Sequence, residues 1–407
     1  PDHFARYLAR YGRDWGWRDP QSPDHANAHT PRWVYGDYVR AELARAVAHA
    51  APGVSFHHVV AEAHDIRQDG AGVVVTVQDG SEIHADQAVL ALGIFQGRPD
   101  IAIDPIVRSS GRYVENPWDA ERQETLPRNG QVLLIGSGLT MLDTLLSLER
   151  RGHRGSYLTI SRRGLAVHPR RDVTPLRDFL GEKPLPRTVL SLLRSARAEL
   201  ASTPHARPDW QSLVMAIRPH VDTLWLRASL AERRRFLRHL RPIWEMSLHR
   251  APPQSTQLLE RGQREGWFAH RAGRLRSLQR AADGRIAAVV MWRGAREPAT
   301  VLADVAVNCT GANYVWAKID GRPLVSNLLA RGLVRPGPLS FGIDGDLTSA
   351  LIGLDGRRSE TLTAIGPPLR GVHWESSTIP ELVQQATILA DRLLTRVHSA
   401  RASVPVS

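Results

Sequence analysis

Gln131-Val132-Leu133-Leu134-Ile135-Gly136-Ser137-Gly138-Leu139-Thr140-Met141-Leu142-Asp143 is the stretch whose reading decides the fold. Five apolar or strand-compatible residues run into a Gly-x-Gly turn. Leu142, Leu145, Leu146 and Leu148 then recur at helical spacing until Arg151-Gly152, where glycine ends the helix. Ser156-Tyr157-Leu158-Thr159-Ile160-Ser161 reads as the next strand, completing a βαβ unit. A turn without side chains lets backbone N–H groups approach a pyrophosphate, and the helix behind it presents its positive end. The sequence therefore predicts dinucleotide binding at Gly136, Ser137, Gly138, Leu139 and Thr140, with a purely structural turn as the alternative. The third position of the fingerprint holds Met141 where glycine or alanine is usual, so looser packing of helix on strand is expected there.

The end of the second strand discriminates between nicotinamide cofactors. A carboxylate there bonds a ribose 2′-hydroxyl, whereas guanidinium groups match a 2′-phosphate. This chain has Ser161-Arg162-Arg163, which favours NADPH; two solvated surface arginines are the other reading.

Outward from this unit, two segments repeat one pattern. Ala85 to Gly93 and Ala303 to Gly311 both read A-D-x-A-V-x-x-x-G. Each follows a β-rich run, Gly72 to Val77 and Ile286 to Trp292, flanked by Asp79-Gly80 and Asp283-Gly284 turn signals. A strand that ends in glycine turns sharply beneath a ligand, so Leu92, Gly93 and Gly311 join the expected cofactor contacts. Two matching segments point to a duplicated architecture. Between them, residues 174 to 265 read as a helical insertion, with helices expected over 190–200, 210–217 and 224–240. The C-terminal part predicts a strand ending at Gly366 and a helix over 379–397. Thr378 and Glu381 form a capping box at its start, with Pro380 in the first turn. Such a helix start could face a flavin or simply be capped.

Composition narrows the function classes. The 407 residues suit two domains. No apolar run approaches the ~18 residues of a membrane span. The net charge of +12 raises nucleic acid as a partner, but Lys183 and Lys318 are the only lysines and the arginines are scattered, unlike a clustered basic footprint. Cys309 is the single cysteine, so an intrachain disulfide is excluded and a reducing, cytoplasmic setting fits. His57-His58, His25 and His29 have no partners at metal-ligand spacing, so no metal site is expected.

Together these residues resemble the bacterial FAD/NAD(P)-binding proteins related to class B flavin monooxygenases and amino-acid N-hydroxylases. The features that carry the resemblance are Gly136-Ser137-Gly138, Ser161-Arg162-Arg163, the paired strand-Gly segments, Trp244 with His249-Arg250, and Trp374-Glu375-Ser376-Ser377-Thr378-Ile379-Pro380-Glu381. The resemblance implies an α/β fold with two Rossmann-like dinucleotide-binding domains. An FAD domain, residues 1–128 and 312–407, would be split by an inserted NADPH domain, residues 129–311, carrying the helical insertion. Thr30 to Tyr38, with Arg32, resembles the segment bordering the flavin, and Glu62-Ala63 the place where backbone meets adenine. Gly366, Thr378 and Ile379 would approach the flavin, and His249, Arg250 and Trp374 are the candidates for substrate or flavin contact.

Two departures stand out. The family opens with its own strand and G-x-G-x-x-G, so an upstream segment carrying it is expected before Pro1. Pro367 follows Gly366 where relatives often place an aspartate that holds the flavin side chain. The implied function is an FAD-dependent, NADPH-using oxidoreductase acting on a small molecule, with a flavin carrying the chemistry. A nucleotide-binding module without turnover, degenerate or truncated, is the rival.

Overall fold

The computed structural model describes residues 2–12, 29–171, 173–174, 176–182, 184–202 and 209–402. The chain divides into two compact units, Pro1–Glu62 and Ala63–Ser407. In the first, the helix His3–Tyr11 and the helix Arg32–Ala48 carry an aromatic cluster in which Phe4 and Tyr7 lie about 5 Å from Tyr38, ring to ring. Arg32 is the first residue of its helix, which begins inside the Thr30–Tyr38 stretch.

The second unit is mixed α/β. Its strands are β1 (Ala63–Asp69), β2 (Gly72–Val77), β3 (Glu82–Ala85), β4 (Ala88–Leu90), β5 (Phe95–Gln96), β6 (Ala102–Ile103), β7 (Tyr113–Val114), β8 (Gln131–Ile135), β9 (Ser156–Ser161), β10 (Phe268–Arg280), β11 (Ile286–Trp292), β12 (Ala299–Ala303), β13 (Val305–Asn308), β14 (Ala312–Asn313), β15 (Ala350–Ile352) and β16 (Arg358–Ala364). The main sheet has eight strands in the order β12-β11-β10-β9-β8-β13-β7, with β6 pairing β10. Its centre is parallel: β8 pairs β9 from Gln131↔Ser156 to Ile135↔Ile160, and β13 flanks β8 on the other side.

The helix Leu139–Arg150 explains why the decisive stretch reads as it does. Val132 and Leu134 face this helix and pack with Leu142, Leu145 and Leu148, while Leu133 and Ile135 point to the opposite face with Leu158 and Ile160. A strand covered on both faces needs an unbroken apolar run. Met141 is fully buried in the first of these cores, so its side chain fills the space rather than loosening the packing.

A second core lies between the sheet β1-β2-β3 and the sheet β15-β16-β4, with Leu324, Val325 and Leu328 of the helix Pro323–Ala330. The two repeated segments supply β4 to this smaller sheet and β13 to the main one. Their glycine-bearing exits then meet, since β5 and β14 pair antiparallel through Ala312↔Gln96 and Asn313↔Phe95. The repeat thus has a mechanical meaning: it marks the two strand ends from which the chain passes between sheets.

The insertion holds the helices Val189–Ser202, Trp210–Ile217, Val221–Arg227, Leu230–Arg235, Arg241–Leu248 and Pro253–Glu265. The single helix expected over 224–240 is broken. Ala228 is extended, Ser229 caps a new helix by accepting from the Glu232 N–H, and Phe236–Leu240 is a π-helical turn. The helix Pro253–Glu265 was not legible behind its paired prolines. Ile379–Ala402 is helical as the periodicity requires. Its expected capping box is diverted, because Thr378 Oγ1 and Glu381 Oε1 both accept from Arg218, at 3.1 and 2.6 Å. No helix among the described residues is long and apolar enough to cross a membrane.

Candidate functional site

The site begins at the glycine turn. Gly136 has φ +112°, and a Cβ there would lie 2.5 Å from the Cys309 carbonyl oxygen, so only glycine fits between β8 and the exit of β13. Its N–H donates to Ile160 O at 2.9 Å, and Ser137 Oγ donates to Leu165 O at 2.5 Å. Gly138 is different. It opens the helix Leu139–Arg150 in an ordinary extended conformation, and a Cβ would reach nothing nearer than Met246 Cε at 3.9 Å. That helix starts without a side-chain cap and with no acidic residue in its first turn. Leu139 and Thr140 are partly exposed. An open glycine, an uncapped helix end and no competing carboxylate are what a bound phosphate requires.

At the end of β9 the three sequence-marked residues part company. Ser161 Oγ accepts from the Gly164 N–H at 3.1 Å and lies 3.0 Å from His270 Nε2, both partly buried, and burial depresses the His270 pKa. Arg163 donates to the carbonyls of His239 and Arg238 at 3.0 and 2.9 Å, holding the π-helical turn. Arg162 is exposed and has no partner among the described residues. Arg162 is thus the guanidinium at this strand end that is free to meet an anion.

The second half of the site is the loop between β16 and the C-terminal helix. The Gly366 N–H donates to Gln385 Oε1 at 2.8 Å, fixing the start of the loop on the helix that follows. Arg370 is buried: it donates to the Tyr314 hydroxyl and to Glu245 Oε1 at 3.0 Å, and its guanidinium lies 4.8 Å from the Tyr314 ring centre and 5.1 Å from that of Trp374. Burial works against its charge, but the Tyr314 and Glu245 partners outweigh it and hold the pKa high. Trp374 is fully buried, stacked with Phe341 at 5.8 Å and touching Trp225 and Phe236 at 4.9 Å. Glu375 accepts from Trp244 Nε1 at 2.9 Å, and burial raises its pKa.

This loop concentrates unmet polarity. Eleven buried side-chain polar atoms lack a protein partner among the described residues, and seven belong to Asp222, Arg370, His373, Trp374, Glu375, Ser376 and Glu381. Orphaned buried groups are costly unless water or a ligand meets them. Asp222 shares the cluster: burial raises its pKa while His373 and the N–H groups of Glu375 and Trp374 oppose the shift.

His249 follows the helix Arg241–Leu248 and sits beside the Arg370–Glu245 pair. Burial lowers its pKa, with Glu245 opposing and Arg370 and Arg218 assisting. Trp374 borders the same Arg370, at 5.1 Å from ring centre to guanidinium. Arg250 faces Arg170 and Arg218 instead, and burial lowers its pKa. One helix joins both halves of the site: Met246 lies over Gly138, while Trp244 and Glu245 hold Glu375 and Arg370.

The other sequence-marked residues are distributed as follows. Ala63 begins β1 opposite Val77. Leu92, Gly93 and Gly311 lie along the β5–β14 crossing, where the Gly97 N–H donates to Gly311 O at 2.8 Å. Gly366, Thr378 and Ile379 flank the polar loop. Cys309 is buried against Thr144, and burial pushes its thiol up to about 12, so it is no nucleophile. Among the described residues no group of three His, Cys, Asp or Glu side chains is placed to hold a metal ion. Sequence reading missed Asp222, Arg218, Glu245 and Tyr314. Glu245 adjoins the marked Trp244, but the other three belong to no motif and are assembled by folding alone.

Residues 1–95 match the family model described as FAD-NAD(P)-binding. No curated protein matches the chain. Among solved structures, the ornithine N-hydroxylase of Kutzneria sp. 744, seen with reduced FAD, NADP+ and L-ornithine, is 15% identical with a TM-score of 0.60, covering 97% of this chain and 82% of its own. The ornithine hydroxylase of Pseudomonas aeruginosa is 15% identical at 0.57, covering 98% and 83%. The L-lysine 6-monooxygenase of Pseudomonas syringae is 16% identical at 0.53, covering 96% and 81%. The chain therefore has the α/β fold of these two-dinucleotide flavoproteins, as its motifs imply.

Proposed function

We propose that this chain is an FAD-dependent, NADPH-using oxidoreductase of the monooxygenase type. The observation that carries the reading is the uncapped helix start behind Gly138, followed at the end of β9 by Arg162 in place of a carboxylate. When bound, NADPH supplies a hydride and FAD accepts it for transfer to oxygen or another acceptor. The chain's own residues bind and orient. Gly136 to Thr140 receive the NADPH pyrophosphate, and Arg162 the 2′-phosphate. Arg32, Ala63, Leu92, Gly93, Gly311, Gly366, Thr378 and Ile379 would hold FAD. Arg370 and Glu245 fix the polar loop, with His249 buried beside them as a neutral imidazole able to carry a proton.

The matching division of the chain is an FAD domain from residues 1–128 and 312–407 around an NADPH domain from 129–311. Within residues 63–407 sheet membership supports this, with β8 to β13 in the main sheet and β1 to β4, β15 and β16 in the smaller ones. β6 and β7 join the main sheet, so the crossing at β5 and β14 is the natural border. The substrate is a small molecule, and the single buried Cys309 suits the cytoplasm.

The test is direct. The full chain is purified, supplied with FAD and followed for retained flavin colour and NADPH oxidation. Flavin retention with NADPH consumption well above that with NADH supports the reading. Retained nucleotide without turnover would instead make the chain a binding module.

A further inference from the structure

The helical insertion and Trp374 line a half-open apolar cleft of about 80 Å³. Trp225, Phe236, Trp244 and Trp374 supply aromatic walls, and Leu192 and Val221 line it with aliphatic groups. Two of the three indole N–H groups of this wall are engaged by the protein, and that of Trp374 is buried without a partner among the described residues. Trp225 Nε1 donates to Gly371 O and Trp244 Nε1 to Glu375, both at 2.9 Å. Glu232 is the lining carboxylate, and it is committed: its Oε2 accepts from the Val189 N–H at 2.8 Å and its Oε1 pairs with Arg235. Arg233 donates to the carbonyls of Ala228 and Leu226 and lies 5.2 Å from the Trp225 ring centre.

One lining charge remains. Arg187 is exposed and has no partner among the described residues. The cavity thus offers ring faces and methyl groups inside, a cation on its lining and no open carboxylate. A diamino acid carries two ammonium groups and finds no partner for them here. A planar aromatic acid finds stacking surfaces for its ring and a guanidinium for its carboxylate.

We propose that this cavity binds an aromatic carboxylic acid, with the ring against the partly buried Phe236, Trp244 and Leu192 and the carboxylate toward Arg187. Where the ligand is taken as the substrate, the inference rests on the oxidoreductase reading; the binding itself needs no cofactor. The two can therefore fail separately.

Calorimetric titration of the full chain with indole-3-acetate tests it against tryptamine, which keeps the ring and reverses the charge. One saturable site per chain is expected, with indole-3-acetate about threefold or more tighter than tryptamine, an exposed charge pair being worth little more. L-lysine and L-ornithine should not compete. Leu192→Trp, which fills the cavity, should weaken indole-3-acetate about tenfold or more. Arg187→Gln should bring it level with tryptamine. Leu224→Trp, filling from another helix, serves if the first variant fails to fold. Absence of saturable binding, displacement by lysine or ornithine, or undiminished affinity in a folded filling variant overturns the proposal. Binding at this site without any effect of the ligand on NADPH oxidation would leave the cavity assigned and remove the ligand as substrate; loss of NADPH oxidation by the FAD-supplied chain would count against the oxidoreductase reading alone.

Discussion

The indole N–H of Trp244 donates to Oε1 of Glu375 at 2.9 Å, joining the helical insertion to the loop before the C-terminal helix. The other carboxylate oxygen, Oε2, is buried without a partner. Burial raises the Glu375 pKa above its unfolded value, so the native state holds this proton more tightly than the unfolded chain. Its contribution to stability is therefore fully present below the unfolded carboxyl pKa of about 4.3 and is lost as pH rises through the folded value. Glu375→Gln keeps an oxygen for Trp244 and removes the titration. The variant's thermal midpoint relative to the parent should be lowest near pH 4 and climb toward neutral pH, levelling once the folded pKa is passed. A constant difference across that range would show that Glu375 stays ionised. Trp244→Phe strips the carboxyl of its donor and should cost about 1–3 kcal/mol in denaturant unfolding.

Two glycines two residues apart should fail in different ways. Gly136→Ala forces a Cβ into the Cys309 carbonyl at a backbone angle that L side chains rarely adopt. It should lower stability by about 2–4 kcal/mol. Gly138→Ala meets only Met246 Cε and keeps an allowed backbone. Its methyl group stands where a pyrophosphate must approach, so NADPH affinity should fall about tenfold or more while the thermal midpoint holds. Equal stability losses in both variants would place the turn in a structural role.

Ile379 opens the C-terminal helix and is 46% exposed, so its replacement disturbs little packing. If this helix start faces the flavin, Ile379→Asp puts a negative charge beside it and should lower the flavin midpoint potential in FAD-loaded protein. Arg218 lies one turn away on Thr378 and Glu381 and keeps the fold tolerant of the new charge. An unchanged potential with FAD retained would remove Thr378, Ile379 and Trp374 from the flavin contacts.

What was legible in the sequence follows from range. The unit from Gln131 to Ser161 could be read because strand, turn and helix each depend on neighbours a few residues away. The A-D-x-A-V repeat was visible, but its purpose, the pairing of Phe95-Gln96 with Ala312-Asn313, depends on residues over two hundred apart. The break at Ala228-Ser229 was hidden inside an apolar helical period, since a serine N-cap looks like any surface serine until the chain turns there. The polar loop was found through Trp374 and Glu375. Its partners Arg218, Asp222 and Tyr314 were not, because each sits in an unremarkable stretch and acquires its role through tertiary contact.

The same limit applies to Ser161-Arg162-Arg163, where the sequence offers two arginines as equals and the fold does not. Arg163 is held by the carbonyls of Arg238 and His239, so Arg163→Ala should loosen the π-helical turn, lowering the thermal midpoint and leaving the preference between nucleotides nearly intact. Arg162 is exposed and without a partner among the described residues, so its guanidinium can turn to a 2′-phosphate with nothing to give up. Arg162→Ala should weaken NADPH by about 0.5–1.5 kcal/mol, since an exposed guanidinium–phosphate contact is worth less than a buried one, and leave NADH affinity unchanged. Raising salt should erode the parent's preference in parallel, because the contact is exposed. Titrating both nucleotides against both variants decides the matter. Equal weakening of NADPH and NADH in Arg162→Ala would mean that this arginine attracts charge without recognising the phosphate, and the choice of NADPH would then have to come from elsewhere in the fold.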